Sequence, residues 1–282
     1  MKVIDFHVHL ATVQHWTPWV IAFIRENNPG YFERFPDGPD PEALVAHFTS
    51  QGVSRLVMLA EYAPTCTGLV TNEALTDFCR NHQQLIPFAA LSLEVDTPYM
   101  EQARYAVEEL GMKGFKLLPS YQHFFPNDPS FFPFYDYVQS QGLPVMFHTG
   151  SSIFPGTRIK YADPLLLDDV ADEFPELTII MEHGGRPFWY DRAAWMISRH
   201  RNVHIGIAGI ATRHLPRYFP KLEQYADRFL FGSDWPAIPL DVEGLIGRVL
   251  ALPYSDDTKA RILHGNAERL LGIEKFEKAG GT

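Results

Sequence analysis

An α/β fold of the (β/α)8 TIM-barrel class is what the sequence predicts, and three observations predict it. Eight short apolar, β-branched runs recur along the 282 residues, with helix signals between them. Several runs are continuous rather than alternating, as in Leu-Pro-Val-Met-Phe at 143–147 and Thr-Ile-Ile-Met at 178–181. That is how strands covered on both faces read. The length also suits one barrel, since single-domain barrels commonly run to about 250 residues. A doubly wound open sheet is the competitor, but no Gly-rich phosphate fingerprint follows the first strand.

Taken in order, the predicted strands begin with Val3–His7. A stretch from about Thr12 to Pro41, rich in Trp, Phe, Tyr, Pro and Gly, follows and is long for a strand-to-helix connection. Loops of that length are often functional lids. Ser54–Leu59 and Leu85–Leu91 are the second and third strands. Thr97-Pro98 then opens a helix with Met100, Ala103, Val107 and Leu110 on one face. Lys113–Leu117 is the fourth strand, and Asp128-Pro129 starts the next helix. Leu143–His148 is the fifth, followed by Asp163 as N-cap with Pro164 at the first helical position. Thr178–His183, Val203–Ile207 and Arg228–Gly232 complete the eight. No linker, repeat or low-complexity segment divides the chain, so residues 1–282 read as one domain.

Composition narrows the function classes. Hydrophobic residues make up 46% and charged residues 21%, which is ordinary globular usage and argues against disorder. With 24 Lys+Arg against 34 Asp+Glu the formal net charge is −10, so the chain has no general attraction for nucleic acid. No apolar run approaches the ~18 residues of a membrane span. The first residues read as a strand rather than a secretory leader. Cys66 and Cys79 make neither a disulfide framework nor a cysteine zinc site. The expectation is a soluble, cytoplasmic protein that acts on a small molecule.

Histidine is the residue to follow, and its position carries the signal. His7 and His9 close the first strand, two residues apart and so on one face. Alone, that pair reads more readily as satisfied core histidines than as metal ligands. His148 closes the fifth run, His183 the sixth, and Asp234 follows the eighth in Gly-Ser-Asp-Trp-Pro. In a parallel barrel all these strand ends meet at one rim, where active sites of the fold sit. Imidazoles with one carboxylate suit Zn²⁺, Fe²⁺ or Mn²⁺.

The residues Ile4-Asp5-Phe6-His7-Val8-His9, His148-Thr149-Gly150, His183-Gly184-Gly185 and Gly232-Ser233-Asp234-Trp235-Pro236 together resemble the amidohydrolase superfamily. The branch they resemble is the amidohydrolase-related group, which includes enzymes like aminocarboxymuconate-semialdehyde decarboxylase. Ile262-Leu263-His264-Gly265-Asn266-Ala267 is similar to that branch's closing helix. The matches run in order from residue 4 to 271. The resemblance implies a barrel of the metal-dependent hydrolase type. It implies His7, His9, His148 and Asp234 as metal ligands, with Asp234 also moving protons. His183 would stand off the metal and act on substrate or water. One zinc is the implied cofactor, with manganese or iron as the alternatives.

Lys116, at the end of the fourth run, admits three readings: a carboxylated bridge between two metals, a structural partner of a carboxylate, or a cation holding a substrate carboxylate. Arg186 and Arg158 are further candidates for an anionic substrate group, and Lys160 is similar. Strand alternation should turn Glu182 away from the barrel interior, toward an outer ion pair or a supporting role. Trp16, Trp19, Phe23, Tyr31, Phe124, Phe125, Trp189 and Trp235 fall near the rim, either lining an apolar pocket or packing the loops. Cys66 reads as an inert thiol. The aromatic segment near Thr12–Pro36 raises the expectation of a homodimer.

Hydrolysis of an ester, amide, lactone or ketone-adjacent C–C bond by metal-activated water is the first reading. Non-oxidative decarboxylation of an aromatic or unsaturated acid at the same site is the second. Decarboxylases of the branch resemble one another in carrying a glutamate soon after the His-x-His, often in chains well above 300 residues. Here no acid follows His9 until Glu26, which favours hydrolysis. A third reading, a catalytically silent ligand-binding barrel, sits badly with an intact ligand set.

Overall fold

The computed structural model describes residues 2–10, 12–94, 96–238 and 241–273. Eight parallel strands are found among them: β1 (Val3–His9), β2 (Val53–Leu59), β3 (Leu85–Phe88), β4 (Phe115–Leu117), β5 (Pro144–His148), β6 (Thr178–Glu182), β7 (Val203–Gly206) and β8 (Phe229–Leu230). β1, β2 and β3 pair in that order, and β4 through β8 pair in theirs. Two bridges, Ala89 to Phe115 and Val8 to Trp235, close the ring, and the Phe6 N–H donates to the Phe231 carbonyl at 2.9 Å. The predicted barrel is the observed fold. Every predicted strand is present, with ends shifted by up to three residues, as at β3, which stops at Phe88 rather than Leu91.

Alternation along the strands sorts side chains into two layers. Ile4, Phe6, Val57, Leu59, Ile86, Phe88, Met146, Ile180 and Leu230 fill the barrel interior, and Ala267 of the last helix with Ile273 just past its end close its floor. Val3, Leu56, Met58, Phe115, Leu117, Val145, Phe147, Ile179, Met181 and Ile205 face outward into the larger cluster beneath the helices. Those strands are apolar on both faces, which explains their continuous hydrophobic runs.

Helix starts follow the predicted chemistry. The Asp163 carboxylate accepts from the Leu165 N–H and Asp128 from the Ser130 N–H, each with proline next in the chain. The long segment after β1 folds as two short helices, α1 (Pro18–Asn27) and α2 (Pro29–Arg34), before the barrel helix α3 (Pro41–Ser50). Trp16 bridges to Gly68 in a hairpin formed by Glu61–Ala63 and Gly68–Val70, which pins this cap over the strand ends. Among the described residues no helix is long and apolar enough to cross a membrane.

Candidate metal centre and active-site cavity

Two local departures from ideal strands gather the polar groups. On β1, Asp5 pairs with Leu56 and Val8 with Met58, so three steps on one strand match two on the other. This is a β-bulge. Ile4 and Phe6 face inward below it, and strict alternation would send Val8 inward next. The extra residue instead turns His7 and His9 into the barrel and buries Val8 in the outer layer. Asp5 fixes the bulge: one carboxylate oxygen accepts the N–H of His7 at 3.1 Å and of Ser233 at 2.9 Å. Burial pushes the Asp5 carboxyl up to about 7, against the hydrogen bonds from Ser233 and His7.

The second departure corrects the expectation for Glu182. It follows Ile180 on the inner face and points into the barrel, where its carboxylate lies 3.2 Å from His7 Nδ1. His183 then takes φ 68°, a left-handed conformation that breaks alternation and brings its ring inside as well. Two consecutive residues therefore reach one site. Gly206 on the neighbouring strand makes the room, since a Cβ there would overlap the Glu182 carboxylate. Asp234 is also left-handed, at φ 60°, and its N–H donates to the His7 carbonyl at 3.0 Å. Strained backbone of this kind clusters at functional sites.

His7 Nε2 and His9 Nε2 stand 3.0 Å apart, and Asp234 Oδ1 lies 3.5 and 3.4 Å from them. Among the described residues these three are the one group whose donor atoms converge as metal ligands do. Their far nitrogens face carboxylates: His7 Nδ1 faces Glu182, and His9 Nδ1 faces Glu61 at 3.1 Å. Glu61 in turn accepts a short hydrogen bond from Thr67. A carboxylate behind each imidazole fixes its tautomer and aims its other nitrogen, the usual arrangement around a protein-bound metal. His148 lines the same cavity outside this trio, with its Nε2 buried and unpartnered. A divalent cation fits this set. It would relieve the close approach of the two imidazoles and use a nitrogen that otherwise has no partner.

Electrostatics sharpen the division of labour. Burial, with Lys116 adding to it, holds His7 and His148 neutral. Burial and Arg186 do the same to His183, whose Nδ1–H donates to the Ala208 carbonyl at 2.8 Å. Burial alone would lower His9, but hydrogen bonds to Asp234 and Glu61 hold it up at about 9. Burial alone would raise Asp234. The imidazoles of His7 and His9 and the guanidinium of Arg186 hold it well below the usual carboxylate range. Burial pushes Glu182 up to about 7 and Lys116 down to about 8, while their mutual attraction opposes both shifts.

The cavity has a volume of about 270 Å³. Its polar lining is the histidines, Asp234, Glu61, Lys116 and Arg186. Its apolar lining is Trp16, Val20 and Phe23 from the cap, with Leu118 and Phe154, and Trp16 packs edge to face on His9 at 5.9 Å. Arg186 reaches in across Gly209, where any side chain would overlap its guanidinium, and comes within 3.7 Å of Asp234 Oδ2. Arg158 is exposed on the loop after β5 and does not line the cavity, so its expected part in anion binding is not supported. Lys160, likewise exposed, lies over the Tyr161 ring. The aromatics divide. Trp16 and Phe23 line the cavity, and Trp19 stacks on Phe23 at the mouth. Tyr31 and Trp235 pack the cap onto the barrel beside Phe35 and Phe48. Phe124 and Phe125 pack on Phe131 and Tyr161. Cys66 is buried with its thiol pushed up by that burial, in keeping with an inert role. Sequence reasoning passed over Glu61 and Asp5. Asp5 alternates with His7 and His9 in the motif, but Glu61 had only its place just past the second strand as a signal.

A family profile described as amidohydrolase matches residues 4–273. The chain belongs to the amidohydrolase family. The gamma-resorcylate decarboxylase of Rhizobium sp. (strain MTP-10005) is 24% identical over 250 residues, covering 72% of this chain and 75% of that one. An uncharacterized TIM-barrel protein from Bordetella bronchiseptica superposes with a TM-score of 0.77 at 25% identity, over 96% of this chain and 99% of the other. The dihydroxybenzoic acid decarboxylase of Polaromonas sp. JS666, solved with manganese and 2-nitroresorcinol, superposes with a TM-score of 0.71 at 17% identity, over 97% of each chain. This amidohydrolase is thus an enzyme whose cofactor is a divalent metal.

Proposed function

We propose that this enzyme is a metal-dependent non-oxidative decarboxylase of small aromatic carboxylic acids, rather than the hydrolase that the sequence favoured. The observation that carries the reading is the cavity. It is ring-sized, and its lining combines apolar side chains with a metal-binding trio and two cations. A flat aromatic acid matches both halves. The curated relative, itself a decarboxylase, supports the same choice. The argument for hydrolysis rested on a missing acid after His9. Glu61, brought beside His9 by the hairpin after β2, supplies a carboxylate to that histidine from elsewhere in the chain.

In this reading His7, His9 and Asp234 hold one divalent ion, zinc or manganese, with His148 as the further nitrogen. The ion, when bound, supplies Lewis acidity to the substrate carboxylate and its neighbouring oxygen. Trp16, Phe23 and Phe154 sandwich the ring and exclude water. Arg186 neutralises the acid as it enters. Asp234 is ionised at neutral pH, so it takes the proton of a hydroxyl ortho to the carboxylate and returns it to the ring carbon. The bond from that carbon to the carboxylate breaks, CO2 leaves, and the electron pair stays on the ring carbon to receive the proton. His183, fixed by its bond to Ala208, presents a neutral imidazole to the substrate and holds its oxygen in place.

The test is to incubate the metal-loaded enzyme with hydroxybenzoic acids, and with esters, lactones and β-keto acyl compounds in parallel. CO2 should appear with the arene product, stop on chelation, and return with added zinc or manganese. Hydrolysis without CO2 would restore the hydrolase reading. His183→Ala should keep its metal and lose about 10²-fold in kcat.

A further inference from the structure

The loop that follows β5 brings a hydroxyl to the cavity that the chemistry above does not use. Residues 149–158 are tied down at both ends: the Ser151 N–H donates to the Arg186 carbonyl at 2.7 Å, and the Arg158 N–H to the Ser120 carbonyl at 2.8 Å. Between those ties Phe154 packs against a small buried cluster of Ala63, Cys66, Leu118 and Tyr121. Ser152 is thereby held, half-buried, in the cavity lining beside the buried Tyr121. A serine hydroxyl has two lone pairs and one hydrogen to place. Ser152 Oγ accepts the Phe154 N–H at 3.2 Å, a short local turn of the kind serine makes with its own backbone. It also accepts from the Tyr121 hydroxyl at 2.9 Å, the phenol being the more acidic of the two O–H groups. Both lone pairs are then taken, and among the described residues the Ser152 hydrogen has no acceptor. Tyr121 itself stands edge to face on His148, ring centroids 4.9 Å apart, so the serine is one side chain removed from the metal centre.

We propose that Ser152 determines specificity by donating a hydrogen bond to an uncharged oxygen substituent on the substrate ring, with Tyr121 as the positioning residue that leaves it able only to donate. This rests on the decarboxylase reading and deepens it: the preferred acids carry an ether or carbonyl oxygen besides the carboxylate that leaves and the hydroxyl next to it. Those two groups belong to the metal centre, and Ser152 lies beyond Tyr121 from it. A ring that displaces solvent from the cavity must bring an acceptor to Ser152 or leave its hydrogen unpaired. An acceptor suits the site and a donor does not, because no lone pair of the serine is open to receive one. The oxygen takes no part in the bond that breaks, so the contact is equally strong in ground and transition states. It therefore appears in KM rather than kcat.

The experiment compares the metal-loaded wild type with Ser152→Ala and Tyr121→Phe. Calorimetry reads the binding of benzoates bearing methoxy, ethyl or methylamino at ring position 3 or 4, three groups of nearly one shape. Methoxy can only accept, ethyl does neither, and methylamino offers an N–H. At one of the two positions the wild type should bind the methoxy acid about 3- to 10-fold more tightly than the ethyl acid, the worth of one neutral hydrogen bond. The methylamino acid should bind no better than the ethyl acid. Ser152→Ala should bind the methoxy and ethyl acids equally. Tyr121→Phe opens a lone pair on the serine, so the methylamino acid should gain about threefold on the ethyl acid while the methoxy preference stays. A Tyr121 that serves only packing would instead weaken all three acids together, and that result would overturn its positioning role. With the matching 2-hydroxybenzoates, CO2 release should show the preference in KM, with kcat changed by less than about threefold. No methoxy preference in the wild type at either position, a preference that survives in Ser152→Ala, or metal lost on replacing Ser152 would each overturn the proposal. CO2 release with no dependence on Ser152 would sink the proposal and leave the decarboxylase reading standing. A Ser152-dependent methoxy preference with no CO2 from any acid would sink that reading and keep the donor site.

Discussion

The lower and upper halves of the barrel interior are built on the same strands, often two residues apart, and follow opposite rules. Met146 lies below His148 on β5 and Ile180 below Glu182 on β6, while on β1 the bulge separates Phe6 from His7. The lower side chains interlock without polar atoms, as Phe6 and Phe88 do edge to face at 5.6 Å. Those above are buried as deeply and nearly all can ionise. The difference teaches that burial in this fold serves two ends. Below, it removes apolar surface from water; above, it shifts protonation, keeping His7, His148 and His183 neutral, while His7, His9 and Arg186 keep Asp234 charged against it.

Breaking the lower half should cost stability and spare the metal. Phe88 is fully buried, and its ring fills the space above Gly114. Phe88→Ala should destabilise the fold by about 3–5 kcal/mol, the range for emptying an aromatic core site. Denaturant unfolding measures that loss. Metal stoichiometry at 20 °C should be unchanged. If it fell in step with stability, the two halves would be one cooperative site and the division drawn above would be wrong.

The next effect is smaller and tests the upper half alone. Glu182→Gln and Glu61→Gln remove the charge behind His7 and His9 while keeping shape. Each should weaken metal affinity by about 10- to 100-fold, the usual effect of losing a carboxylate behind a ligating histidine, with little change in unfolding free energy. Chelator competition reads the affinity. Unchanged affinity in both variants would show that the carboxylates are packing partners only.

The same contrast explains what the sequence disclosed. The lower half and the outer layer were legible, because apolar runs and proline-led helix starts are local signals. So were His7, His9, His148, His183 and Asp234, since each ends a run whose direction the fold fixes. Glu182 was misread because alternation was carried through a residue that breaks it: His183 at φ 68° lets two neighbours face one way. The bulge was equally invisible, for it depends on Asp5 accepting from Ser233, across the whole length of the chain. Glu61 escaped because its meeting with His9 is made by a hairpin with no pattern of its own. Arg158 shows the converse error, in which nearness in sequence to a strand end did not bring the side chain to the cavity.

The last effect expected is a pH dependence that belongs to the upper half, and its sign follows from His9. In the metal-free enzyme His9 is held protonated up to about 9 between Asp234 and Glu61. A metal ion can take its place only by displacing that proton, because a protonated imidazole has no lone pair to offer. His7 is already neutral and Asp234 already ionised, so neither releases a proton across this range. Apparent affinity should therefore rise about tenfold per pH unit between pH 7 and 9 and level off above. Below about 7 the slope should steepen, since Glu182, pushed up to about 7 by burial, must also ionise to support His7. Glu61→Gln removes one of the two anions that hold the His9 proton, so its curve should level off at lower pH than that of wild type. Mn²⁺ uptake against a competing chelator, corrected for the chelator's own titration, measures both curves. A flat wild-type profile from pH 7 to 9 would mean that His9 is neutral before metal arrives, and that its two carboxylates orient the ring without charging it.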